Sequence, residues 1–236
     1  VCYRADTITG PYEKKVILEH DFDGYGGVGQ GCIIDSEEGD WYGVIFQDRG
    51  GIGRVPTLMP CRWVDGWPML GDENGHVPLT MEKEIYPTEN TKGILGSDDF
   101  SDEKLSLYWQ WNHNPDNALW SLSARKGYLR LTTGRMETSF TQAKNILTQR
   151  TIGPVCTGSV SMDVSGMKEG DFAGLSLFQR KYGQVGVKVT DGKKYIVMVN
   201  GENETPAEVE KVPLNQQVVY FKAECDFRNK ADKGYF

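Results

Sequence analysis

The six residues Trp63-Val64-Asp65-Gly66-Trp67-Pro68 constrain the fold most. Asp-Gly between β-branched and aromatic residues favours a two-residue hairpin turn, because both central positions must take positive φ. Pro68 has no N–H to give to a ladder, so the strand it begins belongs at a sheet edge. Working backwards, Arg54 to Arg62 reads as the preceding strand, after a glycine turn at Gly53. Asp40 to Asp48, DWYGVIFQD, is rich in aromatic and β-branched residues and reads as another strand. Ser36-Glu37-Glu38-Gly39 links it to a glycine-rich strand from Gly26 to Asp35. With Trp67 to Leu70, these runs make one antiparallel unit of four strands, the size of a propeller blade.

Before this unit, Gly10-Pro11 is a breaker and Lys15-Val16-Ile17-Leu18 reads as a short strand. The acidic, aromatic and glycine-rich loop from Glu19 to Gly27 either lines the mouth of a channel or is a plain surface loop. After it, residues 71–96 mix charge and proline without periodicity, as a linker does. The predicted division is 1–84, a linker at 85–96, and a second module at 97–236.

From Ser97 the strands are short and closely spaced. They are predicted at Trp120 to Leu122, Tyr128 to Thr132, Ser159 to Val164, Ala173 to Gln179, Gly183 to Thr190, Lys194 to Asn200 and Gln217 to Asp226. Asp191-Gly192 and Asn200-Gly201 read as hairpin turns. Only Gln142 to Leu147 has a helical look. Many strands with turns between them point to a jelly-roll sandwich. Asp232-Lys233-Gly234 reads as a turn into a further strand, and the sandwich is expected to be incomplete at its C-terminus.

The 26 basic and 33 acidic residues leave a formal charge of -7. That argues against nucleic acid or an anionic membrane as partner, and no apolar run is long enough to span a bilayer. The five cysteines have no CxxC spacing and read as free, mostly buried thiols, which leans weakly towards a reducing compartment.

The run from Gly26 to Gly71 resembles the last blade of the five-bladed propeller of glycoside hydrolase family 43, the β-xylosidases and α-L-arabinofuranosidases. Tyr3-Arg4-Ala5-Asp6 and Ile8-Thr9-Gly10-Pro11-Tyr12 resemble the turn and strand before that blade. Ser97-Asp98-Asp99-Phe100 to Trp109-Gln110-Trp111-Asn112-His113-Asn114-Pro115-Asp116 resembles the start of the sandwich that follows it. The resemblance implies an all-β chain: about one blade of a five-bladed propeller, then a concanavalin-like jelly roll. It also implies an inverting hydrolase of xylosyl or arabinofuranosyl linkages, acting on xylo-oligosaccharide, arabinoxylan or a related hemicellulose fragment. A non-catalytic, lectin-like sandwich is the alternative.

In this family the base aspartate, a second tuning aspartate and the acid glutamate lie on the first three blades, upstream of Val1. None is expected in this chain, and Asp35, Asp40, Asp48 and Asp65 read as turn and strand-end caps. The missing blades, and strands past Phe236, would come from the same parent or from separate chains.

By resemblance Arg54 matches the arginine that reaches the sugar at the cleavage point. A guanidinium suits hydroxyls and carboxylates alike, although a lone arginine is also read as a surface ion-pair residue. Gln30 keeps a Gln-Gly pair that follows a channel histidine in several branches, and Gly29 stands here in its place. This puts a central metal in doubt and leaves Gln30 as a channel cap or a glycine-turn residue. Asp98 and Asp99 match an acidic pair that holds a structural Ca²⁺ in related modules, or else begin a solvated strand. No cofactor is required for the chemistry. Trp111 and His113, within the cluster Trp109 to His113, and Phe172 are the remaining candidates for sugar contact. An interdomain hinge is the competing role for Trp109, and a hydrogen-bonded structural imidazole for His113.

Overall fold

In a computed structural model, which describes residues 1–19, 22–26, 28–82 and 93–236, Asp65 and Gly66 both take positive φ, 50° and 74°. They join two antiparallel strands as the dipeptide requires. The chain divides into two units, Val1–Glu89 and Asn90–Phe236. Most of the expected linker at 85–96 lies outside the described residues.

The first unit contains β1 (Cys2–Arg4), β2 (Glu13–Lys15), β3 (Val28–Asp35), β4 (Trp41–Asp48), β5 (Arg54–Val64) and β6 (Trp67–Leu70). Strands β3 to β6 form one sheet in sequence order, each antiparallel to the next. Pro68 sits on the edge strand β6, where its missing N–H costs no ladder bond. Met59, Cys61, Leu70 and Val77 form the core, packed against Ile17, Phe22, Val28, Ile33, Trp41 and Ile45. β1 and β2 pair with one another, and Arg4 fastens this hairpin to the blade. Its Nη1 donates to the Asp65 carbonyl at 2.8 Å, and its guanidinium lies 4.2 Å from the centre of the Trp67 ring. The strand predicted at Lys15 to Leu18 is displaced to Glu13–Lys15. Ile17 instead lends its carbonyl to Leu70 N–H and its side chain to the core.

The second unit contains β7 (Gln110–Trp111), β8 (Trp120–Ser121), β9 (Arg130–Leu131), β10 (Leu147–Thr148), β11 (Val155–Asp163), β12 (Phe172–Phe178), β13 (Tyr182–Thr190), β14 (Lys193–Gly201), β15 (Ala207–Leu214), β16 (Val218–Asp226) and β17 (Lys233–Tyr235). Its two main sheets are β12-β13-β14-β15 and β11-β16-β17. They meet over Val164, Val187, Val219 and Phe221, with Val160, Met162, Leu175, Val185 and Ile196 around them. Along β16 buried and exposed residues alternate, which is the period-two pattern of a strand with one wet face. Across β13 the other face is also covered: Gln184 is buried, and Phe140 packs on Phe178 and Tyr182. This is the sandwich expected from the turn spacing.

Two local expectations fail. Asn200-Gly201 is not a turn, because β14 continues through Gly201. The reversal comes after it, where Asn200 Oδ1 accepts from Glu202 N–H at 2.8 Å. The helical look of Gln142 to Leu147 also dissolves. A single 3-10 turn at Phe140–Gln142 leads into β10. Among the described residues the helical pieces are single 3-10 turns, and no helix is long and apolar enough to cross a membrane.

Candidate functional site

Antiparallel order places the start of β3, the end of β4 and the start of β5 at one end of the first sheet. Gly29 pairs with Phe46, Val28 with Gln47, and Asp48 with Arg54. The ladder is irregular between Gly29 and Gly31, which leaves Gln30 as an extra residue with φ 56°. Gly31 is forced by close approach: a Cβ there would lie 2.1 Å from the Val44 carbonyl oxygen. The bulge therefore re-aims Gln30, whose residue is exposed, without breaking the sheet.

Arg54 follows Gly53, which has φ 86°. It is exposed, and its guanidinium carbon lies 4.4 Å from the centre of the Phe46 ring. Stacking on an aromatic face holds the fork in place and leaves its N–H groups outward. Among the described residues its contact is with this ring, and no carboxylate there pairs with it. Phe46 is thus flanked by Arg54 from β5 and by the bulge from β3.

A second arginine at this end is held differently. Arg49 is half-buried; its Nε donates to Gln47 Oε1 at 3.0 Å, and its Nη1 lies 3.1 Å from Asp23 Oδ2. Its guanidinium also lies 4.7 Å from the centre of the Tyr25 ring and 5.6 Å from that of Phe22. Gln47 is 0% exposed and gives Nε2 hydrogen bonds to the carbonyls of Phe22 at 2.6 Å and Tyr25 at 2.7 Å. The described part of the acidic loop is therefore an ordered turn. Its residues at 20, 21 and 27 lie outside the described residues. Neither Gln47 nor Arg49 was singled out from the sequence, since one polar residue in a strand leaves no pattern.

Two of the aspartates read as caps sit at turns. Asp48 Oδ1 accepts from Gly50 N–H at 3.1 Å, and Asp65 is the first residue of the tight turn.

The candidates in the second unit are fastened within it. Trp111, on β7, tilts against Trp120 with centroids 5.3 Å apart. Asn112 Nδ2 and His113 Nε2 both reach the carbonyl of Thr141, at 3.0 and 2.8 Å. A carbonyl only accepts, so His113 Nε2 is the donor of this pair, and the residue is exposed. Trp109 donates Nε1–H to Asp98 Oδ2 at 2.8 Å and stacks on Phe100. Phe172 opens β12 and is 36% exposed beside Gly186.

Asp98 Oδ1 accepts from Phe100 N–H at 2.8 Å, so both its oxygens are engaged. Asp99 accepts from Ser101, whose side-chain and backbone donors hold its carboxyl below the usual range. Among the described residues no three or more His, Cys, Asp or Glu side chains are grouped to hold a metal ion. A calcium ion takes about six to eight oxygens. Two carboxylates already closing turns do not by themselves make that shell.

Residues 97–235 match the family model described as the β-xylosidase C-terminal concanavalin A-like domain. The chain is similar to a bifunctional GH43-CE protein of Bacteroides eggerthii, with 71% identity and a TM-score of 0.87 over 99% of this chain and 30% of that one. It is 33% identical to a β-xylosidase of Formosa agariphila, over 81% of this chain and 38% of the relative. It is 23% identical to the non-reducing-end α-L-arabinofuranosidase BoGH43B of Bacteroides ovatus, over 93% of this chain and 42% of the relative. The chain thus spans well under half the length of these relatives. The chain belongs to glycoside hydrolase family 43, of which it carries part of the propeller and the C-terminal concanavalin A-like sandwich.

Proposed function

We propose that the chain forms the C-terminal part of a hemicellulose-degrading hydrolase that cleaves xylosyl or arabinofuranosyl linkages with inversion. The catalytic acid and base lie on propeller blades outside this chain. The observation that carries the reading is Arg54: an exposed guanidinium braced on Phe46 at the end of a blade sheet, with no described carboxylate of its own. Inversion uses two carboxyl groups about 6.5–9.5 Å apart, with a water between the base and the sugar. A guanidinium next to such a pair favours the ionised base and holds sugar hydroxyls in its fork. The family membership and the names of the two curated relatives support a xylosyl or arabinofuranosyl substrate. Gln30 caps the channel beside Arg54.

The test is turnover of nitrophenyl xyloside and nitrophenyl arabinofuranoside by this chain alone and by the chain joined to upstream blades bearing two aspartates and a glutamate. The chain alone is expected to be inactive and the joined protein active. Ordinary enzymatic turnover by the chain alone would overturn the placement of the carboxylates. Sugar binding without turnover by the joined protein would favour a lectin-like module.

A further inference from the structure

We propose that Gln47 and Arg49 are positioning residues that lock the Phe22–Tyr25 turn to the Arg54 end of the blade and so fix one rim of the sugar site. The proposal rests on the reading of Arg54 given above.

The turn closes on itself. Phe22 N–H donates to the Tyr25 carbonyl at 3.1 Å, and Tyr25 N–H to the Phe22 carbonyl at 3.0 Å. Its attachment to the sheet is a separate matter. Both N–H bonds of the Gln47 amide go to those same two carbonyls, from a side chain wholly removed from solvent. The remaining atom of that amide, Oε1, accepts from Arg49. Arg49 then touches three of the four turn residues, Phe22 and Tyr25 by their rings and Asp23 by its carboxylate. The amide and the guanidinium thus form one connected clamp, in which both N–H bonds and the oxygen of the buried Gln47 amide are partnered.

The clamp also reaches Arg54. Arg49 N–H donates to the Gly53 carbonyl at 2.9 Å, and Gly53 is the residue directly before Arg54. One short connection, residues 49–53, therefore sets the turn on one side and the sugar-facing arginine on the other. Since the turn keeps its own two hydrogen bonds, loss of the clamp shifts the turn as a body and does not unravel it. A displaced rim loses contacts made equally to the bound sugar and to its transition state, which raises KM and leaves kcat nearly unchanged.

Gln47 is suited to this as no close relative of it is. Glutamate would set a carboxylate against two carbonyl oxygens in a dry site, and leucine would leave the turn without its anchor. Lysine in place of Arg49 would keep the charge but lose the planar fork that reaches Gln47 and Asp23 together.

The experiment uses the whole enzyme, with Gln47→Leu, Arg49→Lys, the double variant and Arg54→Ala, assayed well below each protein's melting temperature. We expect Gln47→Leu and Arg49→Lys each to raise KM about tenfold with kcat held within about threefold. The double variant should be no worse than the poorer single, since the two residues act as one unit. Unchanged KM in both singles, with Arg54→Ala impaired, overturns the clamp and leaves the sugar site standing. An unimpaired Arg54→Ala removes the site itself. Should Gln47→Leu fail to fold, Arg49→Lys alone decides, because lysine keeps the charge and the aliphatic stem at that position. Independent, additive losses in the double variant would also refute a single clamp.

Discussion

Phe221 and Tyr220 are neighbours on β16 with opposite surroundings, which makes the pair a sensitive probe of the sandwich. Phe221 is 5% exposed and lies in the core with Val164, Val187 and Val219, directly across the ladder from Val160. Tyr220 is 79% exposed and faces Ser161. Truncating Phe221 to alanine loses the transfer free energy of the ring, about 1.5–3 kcal/mol. It also leaves a cavity of up to about 100 Å³ that the sheets only partly fill, worth roughly 2 kcal/mol more. The expected loss is about 3–5 kcal/mol, or a fall in melting temperature of roughly 10 °C for a unit of this size. Tyr220→Ala should cost no more than about 0.5 kcal/mol. Calorimetry on the whole chain reads both, on the transition that moves with Phe221. Less than about 1 kcal/mol lost from Phe221→Ala, or a larger loss from Tyr220→Ala, would refute the packing. A reversed order would mean that β16 is shifted by one residue, which exchanges the two faces of a strand.

Thiol reactivity should follow burial. Burial, and next the thiol of Cys156 opposite it, pushes Cys225 up to about 12, and burial raises Cys61. Iodoacetamide at pH 8 should therefore label the exposed Cys32 of the folded chain well before Cys61 or Cys225, as seen by peptide mass spectrometry. Labelling of Cys225 as fast as Cys32 would contradict this. Asp226 is held at about 2, chiefly by the side-chain hydrogen bond from Arg228 and then by its backbone N–H. A carboxyl depressed in the folded state contributes stability that is full above its unfolded value near 4 and disappears as pH falls towards about 2. Asp226→Asn should accordingly lose less stability between pH 4 and pH 2 than the parent chain, by melting temperature, with the difference shrinking in salt because the pair is exposed. Equal losses would show that the ion pair does not survive in solution.

How much was legible depended on whether a residue acts through a pattern. The four blade strands announce themselves, because DWYGVIFQD and the Asp65-Gly66 turn combine strand-forming side chains with unmistakable punctuation. The sandwich was legible for the same reason in β13, β14 and β16. Strand β15 was missed: Ala-Glu-Val-Glu-Lys-Val-Pro-Leu is charged, contains proline and is almost wholly exposed. Those are the features of a sheet edge guarded against pairing, and they look like a loop. Here Glu208 pairs with Lys188 two strands away, a contact no local reading finds. Asn200-Gly201 misled because a turn dipeptide is only a local preference, and pairing with β13 and β15 carried the strand through it. At the site, Arg54 was found through a family likeness and its glycine turn. The role of Phe46 beneath it, and the clamp of Gln47 and Arg49, depend on residues meeting in space. The same holds for the aromatic cluster at Trp109 to His113. Its composition was legible, but its hydrogen bonds to Asp98 and to the backbone of Thr141 join residues distant in sequence.

The claim on which the rest depends is that Arg54 faces the reacting sugar. The most direct measurement is kcat of the whole enzyme carrying Arg54→Ala, on nitrophenyl xyloside or arabinofuranoside, whichever the parent cleaves. Loss of one preorganised charged donor at the reaction centre predicts a fall in kcat of about 10²-fold or more, with melting temperature unchanged, since the exposed guanidinium holds no other part of the fold together. A kcat equal to that of the parent would contradict the account.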